Sequence, residues 1–412
     1  MSTSTIHLLG GSQTDFAVNW HRDGKGFDAL VGAVIEATLA ATDIEATEIG
    51  VIHVGNAFGQ LFTGQGQLGG MPATVIPELW GVPASRHEAA CASGSMALLA
   101  AMADLESGRY DCALVIGAEL EKTVPGDEAA GYLGAAAWVG HEARDTKFVW
   151  PTMFAELADE YDRRYGLDDT HLRAISELNI ANARANPLAQ TRDWTFTPDS
   201  FGTDDTANPP VAGRLRRQDC SQMTDGAAAV IVVSDRFLAR RTDLRPGERA
   251  EVSGWGHRTA GLPLASKLRV AADDPYVFPH VRQTVLDALG RAGLPDIDAV
   301  DGIEVHDCFS MSEYMAIDHL GITGPGESWK AVAGGDIARD GRLPVNPGGG
   351  LIGGGHPVGA TGVRMVLDAY KQVTGKAGAY QVPDAHRFAT LNIGGSATTA
   401  ASFIVQSPAK RA

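Results

Sequence analysis

Residues 87–108 read H-E-A-A-C-A-S-G-S-M-A-L-L-A-A-M-A-D-L-E-S-G, and the fold of the chain turns on how this stretch is read. Residues 84–90 lead into Cys91, and the small residues Ala92, Ser93, Gly94 and Ser95 follow at once. A helical pattern then takes over. Met96, Leu99 and Ala103 share one face and Leu98, Met102 and Leu105 another, so the helix is apolar nearly all round and is expected to be buried. Gly108 supplies a C-terminal stop. A cysteine at the start of such a helix faces unpaired backbone N–H groups and the positive end of the dipole, which favour the nucleophilic thiolate. A small cysteine packed in a tight turn is an equal reading of the same residues.

Working outward, residues 6–10 form an apolar run closed by Gly-Gly, residues 28–41 have helical spacing, and 51–54 and 112–117 read as buried strands. Residues 55–70 read as a Gly/Gln-rich loop and 71–80 as a short helix. This strand-helix-strand order suggests a right-handed parallel α/β arrangement. Between 119 and 224 the regular alternation gives way to polar turns, aromatics and two helical stretches, 151–165 and 170–185, which reads as an inserted subdomain. The sheet resumes at 227–233, and a polar linker at 240–249 opens a second half. There, 299–305 is a strand, a glycine loop at His356 leads into a helix with Val363, Val366, Leu367 and Tyr370 on one face, and 389–393 and 398–405 are strands joined by Gly394-Gly395. Cys91, its helix and strand 112–117 thus parallel His356, its helix and strand 389–393. That parallel indicates a duplicated α/β unit. The expected division is 1–118 and 225–248 for the first half, 119–224 for the insertion and 249–412 for the second half.

With 412 residues, 44% hydrophobic and 20% charged, the chain is long enough for a large core and has ordinary globular composition. A net charge of −16 argues against a nucleic-acid partner. No run is apolar enough to span a bilayer, and neither a signal peptide nor a peroxisomal C-terminus is evident. The four cysteines, Cys91, Cys112, Cys220 and Cys308, are widely spaced and form no metal knuckle or disulfide framework, so a reducing cytoplasm is expected.

Three places carry residues suited to chemistry: Cys91, the segment His306-Asp307-Cys308-Phe309, and His356. Each lies where a strand or glycine loop meets a helix, the usual place for active sites in open α/β folds. A histidine that helps form a cysteine thiolate is ordinary nucleophile logic, and a second cysteine suggests a separate proton carrier. For His306 and Cys308 alone, a core turn with a satisfied histidine is the simpler reading. His87, His141 and His319 are read as structural, Cys112 as core, and Cys220 is left open between the two.

Taken together, C-A-S-G-S at Cys91, S-Q-M-T-D-G-A-A-A at 221–229, H-D-C-F at 306–309 and G-G-G-H-P-V-G-A-T-G at 353–362 resemble the thiolase superfamily. The H-D-C-F form is similar to the sterol carrier protein-type thiolases. The resemblance runs from Ile6 to Val405. It implies a duplicated five-layer αβαβα fold with an inserted loop domain, and a thiolytic acyl-CoA C-acyltransferase that is also able to run as a Claisen condensation. It implies that Cys91 is the acylated nucleophile, His356 its activator, Cys308 the acid/base cysteine and His306 a ligand of the thioester oxygen. Gly394 with Cys91 would form the oxyanion hole. Where most thiolases carry C-x-G, this chain has Asn392-Ile393-Gly394, and Cys308 supplies the missing thiol. Arg214, Arg216 and Arg217 are expected near the coenzyme A phosphates, a solvated charge run being an equal reading. No metal or bound cofactor is implied, coenzyme A being a co-substrate, and a homodimer or tetramer is. The alternatives are a thiolase-like aldolase or C-acyltransferase working with a small OB-fold partner, a non-catalytic acyl-CoA-binding subunit and a ketoacyl synthase. The retained cysteines and histidine rank the first two lower, and the thiolase-like H-D-C-F and G-H-P features rank the third lower.

Overall fold

The structure, a computed structural model, describes residues 5–243 and 246–408. Residues 1–4 and 409–412, read above for targeting signals, and residues 244–245 of the linker lie outside the described residues.

The strands are β1 (Ile6–Gln13), β2 (Val51–Gly55), β3 (Ala84–His87), β4 (Cys112–Glu119), β5 (Pro210–Ala212), β6 (Leu215–Arg216), β7 (Gly226–Ser234), β8 (Ala250–Thr259), β9 (Gly302–Val305), β10 (Arg387–Gly394) and β11 (Thr399–Gln406). All but the β5–β6 hairpin join one sheet in the order β3-β2-β4-β7-β1-β8-β11-β10-β9. Strands β4 and β7 are buried along their whole length, which is why they read as unbroken apolar runs rather than alternating ones.

The order shows the duplication directly. Outward from the centre, β1-β7-β4-β2 mirrors β8-β11-β10-β9. In each half the outer pair is parallel (β2 with β4, β9 with β10) and the inner pairings are antiparallel. The expectation of a parallel arrangement therefore holds for β3-β2-β4 and β9-β10 alone. In the second half the tight turn after Gly394 forces β11 to run back along β10. In the first half β7 keeps that antiparallel placement although residues 120–225 intervene. The halves meet where Ile6–Leu8 pair with Val252–Ala250.

Strand β8 lay hidden behind the polar linker. Its sequence, A-E-V-S-G-W-G-H-R-T, has two glycines where a valine-rich strand would show a run. Both are needed for packing: a Cβ at Gly254 or Gly256 would strike carbonyls of the Pro279–Ala292 helix.

The Ser93–Glu106 and Thr361–Val373 helices lie together between the two halves of the sheet. Ala97, Leu98, Ala101, Val363, Val366 and Tyr370 share one core with Val115, Val232, Phe403 and Val405. The Phe27–Thr42 helix covers the outer face of the first half. The Pro279–Ala292 and Ser310–Leu320 helices cover the outer face of the second, with the Val149–Tyr165 and Asp169–Ala183 helices of the inserted segment packed on them. Helix, sheet, helix, sheet and helix make five layers.

The two central helices touch at their N-terminal ends through glycine. A Cβ on Gly94 would sit 2.9 Å from both the Gly359 carbonyl oxygen and the Val363 nitrogen. A Cβ on Gly362 would collide with the backbone and hydroxyl of Ser95. Gly94→Ala should therefore lower stability by roughly 1–3 kcal/mol, the range for forcing an atom into a packed core. Gly32→Ala, on the Phe27–Thr42 helix with only Val75 Cβ 3.7 Å away, should instead raise it by about 0.5–1 kcal/mol. Thermal and urea unfolding of the two variants checks both signs.

Candidate active site

Cys91 occupies a sharp elbow between β3 and the Ser93–Glu106 helix. The preceding residue, Ala90, is in the left-handed region with φ of 49°, which costs a residue bearing a Cβ about 1–2 kcal/mol. Side chains on either flank hold the bend. The Glu88 carboxylate accepts the Ala90 N–H at 2.6 Å. The Ser93 hydroxyl accepts the Ala89 N–H at 3.0 Å and donates to the Ala90 carbonyl at 2.6 Å. These explain the serine of C-A-S-G-S: it ties the elbow to itself.

His356 arrives from the other half on the loop ahead of the second central helix. Its backbone N–H donates to the Thr224 hydroxyl at 2.9 Å, which assigns a role to the S-Q-M-T-D-G stretch. The neighbouring Asp225 accepts the N–H groups of Trp20, Glu121 and Lys122 at 2.8–3.0 Å and pins three segments together. His356 Nδ1 lies 2.7 Å from the Thr361 hydroxyl, which itself donates to the Pro357 carbonyl at 3.1 Å. With the hydroxyl proton assigned to that carbonyl, Nδ1 carries the ring hydrogen and Nε2 keeps a free lone pair. His356 is thereby set up as a base.

His306 follows β9. Its ring meets that of His356 edge to face, centroids 5.1 Å apart at 82°. The sulfur of Cys91 and one ring nitrogen from each histidine all lie within 4.8 Å of one another. Asn392, at the position of the absent cysteine, stands behind them: Nδ2 is 3.0 Å from His306 Nδ1 and 3.2 Å from the Cys91 carbonyl, and Oδ1 receives the Ser95 hydroxyl at 2.7 Å. Asp307 accepts from Leu351 N, Ile352 N and Asn179 Nδ2 at 2.6, 3.0 and 2.9 Å, so the aspartate of H-D-C-F anchors the glycine loop that carries His356.

Cys308 lies buried in the same wall. Its sulfur is 3.5 Å from the Ser312 hydroxyl, whose proton goes to the Phe309 carbonyl at 2.6 Å, so the thiol is the donor to Ser312. Burial, the nearby Cys91 sulfur and Asp307 push the Cys308 thiol well above its ordinary range. It is a reservoir for a proton.

Electrostatics weighs against a resting thiolate at Cys91. Burial, with Glu121 adding to it, pushes the Cys91 thiol up to about 12, and bonds from the N–H groups of Gly395 and Cys91 itself offset this only in part. The helix starts at Ser93, two residues beyond Cys91. Burial and the Arg364 guanidinium lower His356 to about 3, and His306 is also held well below its ordinary value. At neutral pH the resting site is a neutral thiol beside neutral imidazoles.

Cys91, Cys308 and His356 open onto a cavity of about 280 Å³. Phe58, Leu133, Phe148, Trp150, Phe154 and Met223 make most of its wall apolar, with Arg217 and Cys220 also present.

Two family models match the chain: "Thiolase, N-terminal domain" over residues 10–190 and "Thiolase C-terminal domain-like" over 265–407. It is 32% identical over 405 residues to an acetyl-CoA acetyltransferase of Methanothermobacter thermautotrophicus, spanning 97% of this chain and 98% of that one. The chain belongs to the thiolase family. Human sterol carrier protein 2 is 26% identical over 416 residues, covering 94% of this chain and 70% of that protein. Among solved structures, an Ltp2-ChsH2(DUF35) aldolase superposes with a TM-score of 0.77 at 19% identity, covering 98% of both chains. Human mitochondrial 3-ketoacyl-CoA thiolase in complex with CoA superposes with 0.67 at 16%, again over 98% of both.

Set against the thiolase motifs, the glycine and arginine candidates take these places in the structure. The amide that reaches the Cys91 sulfur is that of Gly395, one residue beyond Gly394. Gly394 lies against the elbow instead, where a Cβ would strike the Ala89 carbonyl. The arginines also separate. Arg217 lines the catalytic cavity. Arg214 is held by Asp162 and Asp169 at 3.2 and 3.1 Å, and Arg216 by Asp205 at 2.8 Å and the Asn208 carbonyl at 2.7 Å. Those two are committed to folding the inserted segment. Sequence reasoning missed Glu121, which accepts from Val358 N and Thr224 N at 2.8 and 3.2 Å beside the cavity, and it left Cys220 open. Neither lies in a patterned motif. His87, His141 and His319 stand apart: His87 pairs with His53 at 2.9 Å, His141 stacks on Trp138, and His319 is buried against Asp318.

The raised thiol predicts how the free enzyme alkylates. Because the Cys91 thiolate fraction is small at pH 7 and grows until pH nears about 12, its iodoacetamide rate should climb about tenfold per pH unit from pH 7 to 10. Peptide mass spectrometry of Cys91 against time gives the rate. A plateau below pH 8 would show that a thiolate–imidazolium pair already exists at rest.

Proposed function

We propose that this acyltransferase of the thiolase family cleaves 3-ketoacyl-CoA, or joins acyl units in reverse, through a thioester on Cys91. The observation that carries the reading is the meeting of the Cys91 sulfur with ring nitrogens of His306 and His356 within 4.8 Å, with Cys308 on the same cavity wall. Coenzyme A is the co-substrate, and human mitochondrial 3-ketoacyl-CoA thiolase in complex with CoA shares this fold.

The chemistry balances as follows. His356 Nε2 takes the Cys91 proton as the sulfur attacks the keto carbon of the substrate. The oxygen that becomes negative takes up the N–H groups of Cys91 and Gly395, which in the free enzyme point at the sulfur. The C2–C3 bond breaks and leaves acyl-Cys91 and the enolate of acetyl-CoA. His306 holds the enolate oxygen while the Cys308 thiol gives its proton to C2. Coenzyme A then attacks acyl-Cys91, losing its thiol proton to Cys308; the acyl chain leaves as a new thioester, and the released Cys91 thiolate takes its proton back from His356, which restores the resting site.

The apolar cavity supports an aliphatic acyl group, and so a place in lipid metabolism. Arg217 is the arginine we assign to coenzyme A. Strand β3 pairs on one side only, with β2, and its Ala84 and Ser85 are exposed, which supports a homodimer built along that edge. Among the described residues no helix is long and apolar enough to cross a membrane. Four free thiols support a reducing, cytoplasmic setting. The likeness to the aldolase complex, at 19% identity, carries architecture, and the proposed steps use this chain's own residues.

Acetyl-CoA should acylate Cys91, read as an acetyl mass on its peptide, and Cys91→Ala should lose that label and activity by on the order of 10⁴-fold. Acetylation elsewhere with Cys91 unlabelled would sink the reading. Cys308→Ser should still acylate but turn over roughly 10²–10³-fold more slowly, the range for loss of a proton carrier. Arg217→Ala should raise KM for coenzyme A by about tenfold, while Arg214→Ala leaves KM unchanged.

A further inference from the structure

Asn392 stands where the family pattern places a cysteine, and its hydrogen bonds can be assigned by elimination. The Cys91 carbonyl, 3.2 Å away, can only accept, so the amide group facing it is the NH₂ of Asn392. The other end, Oδ1, is where the Ser95 hydroxyl arrives at 2.7 Å. Turning the amide over would set two oxygens against each other at the Cys91 carbonyl. The same NH₂ therefore also faces His306 Nδ1 at 3.0 Å. A nitrogen that receives this N–H holds a lone pair, so the hydrogen of neutral His306 resides on Nε2. His356 is the reverse case, with the proton on Nδ1 and the lone pair on Nε2.

We infer that Asn392 is a positioning residue that sets the tautomer of His306, making this histidine a fixed Nε2–H donor to the thioester oxygen and leaving His356, of the two imidazoles, as the base that serves Cys91. The inference rests on the proposed reaction. Its physical content is a division of labour between two neighbouring imidazoles. Without a partner at Nδ1, His306 is free to present either a donor or a lone pair. A lone pair facing the enolate oxygen repels the charge that the step must stabilise. The arrangement also separates the two half-reactions. The acyl oxygen on Cys91 is held by backbone N–H groups, and Asn392 acts on the enolate side through His306. A proton on Nε2 also denies that nitrogen to a metal ion, although Cys91, His306 and His356 lie close enough together to share one.

The variants Asn392→Asp and Asn392→Ala test this. The aspartate has the shape of asparagine but only accepts, so it draws the His306 hydrogen to Nδ1. Carbon–carbon cleavage should fall by on the order of a hundredfold in Asn392→Asp, while exchange of the acetyl group between acetyl-CoA and free coenzyme A falls less than about tenfold. Asn392→Ala, which leaves the tautomer free, should lose less in cleavage than Asn392→Asp. A residue that only fills space predicts the opposite ranking. Nitrogen NMR of protein carrying labelled histidine reads the tautomer without turnover, the His306 signals being those lost in His306→Gln. The expected pattern is Nε2–H in the wild type, Nδ1–H in Asn392→Asp and a mixture in Asn392→Ala. An Nδ1–H pattern in the wild type overturns the inference, as does equal loss of exchange and cleavage in both variants. If Asn392→Asp does not fold, the wild-type spectrum and Asn392→Ala still decide. Absence of exchange in the wild type would instead strike the Cys91 reading and leave the tautomer result standing.

Discussion

The contact between the two central helices sets the rest of the molecule. Gly94 and Gly362 lie where helices from different halves meet, each too close to the other's backbone or to Ser95 for a side chain. That approach is what brings the Cys91 elbow and the His356 loop, 265 residues apart in sequence (356 − 91), to one cavity. The mirrored strand order follows from the same contact. A duplicated unit buries its central helix most completely against its own copy, so the sheets flank a shared helical layer and the equivalent helix starts face each other. The active site is thus a product of the internal symmetry. Each half contributes one loop, and the residues on the loops have diverged into a cysteine and a histidine.

The same enclosure determines how the nucleophile is kept. A buried thiolate beside a buried imidazolium would need more compensation than two N–H groups supply, and burial instead leaves both partners neutral. The carboxylates of Glu119 and Glu121 do not reverse this. Their oxygens are taken up by Asn56, Ala57, Phe58, Val358, Gly359 and Thr224, so they act as clamps on the loops. Charge is created in the site during the reaction, at a position already lined by donors.

Elements that bury one continuous apolar surface could be read from the sequence, and elements whose logic is close backbone approach could not. The helix after Cys91, strands β4 and β7, the glycine loop at His356 and the long insertion before β7 all carry periodic or glycine-rich patterns. Strand β8 hides because Gly254 and Gly256 make room for a helix instead of showing hydrophobic side chains. The antiparallel return of β7 depends on a pairing more than a hundred residues away, which no local pattern encodes. Residue type and motif singled out Cys91, His306, Cys308 and His356, which the fold brings to one place. The shift from Gly394 to Gly395 and the division of the arginines depend on side-chain direction, and adjacent residues in a turn or hairpin point different ways.

The departure at Asn392 shows how such a site tolerates the loss of a reactive group. The elbow, the His306 turn and the last hairpin converge on this side chain, and a cysteine there would offer one weak donor. An amide offers two donors and an acceptor in a fixed plane, and all three are used, toward Cys91, His306 and Ser95. With the thiol moved to Cys308, on the same face as the cavity but on a different loop, the vacated position is released from chemistry and taken over by alignment. On the proposed reaction, proton transfer and histidine orientation belong to different residues. A change that perturbs one need not perturb the other, which a single cysteine serving both ends could not achieve.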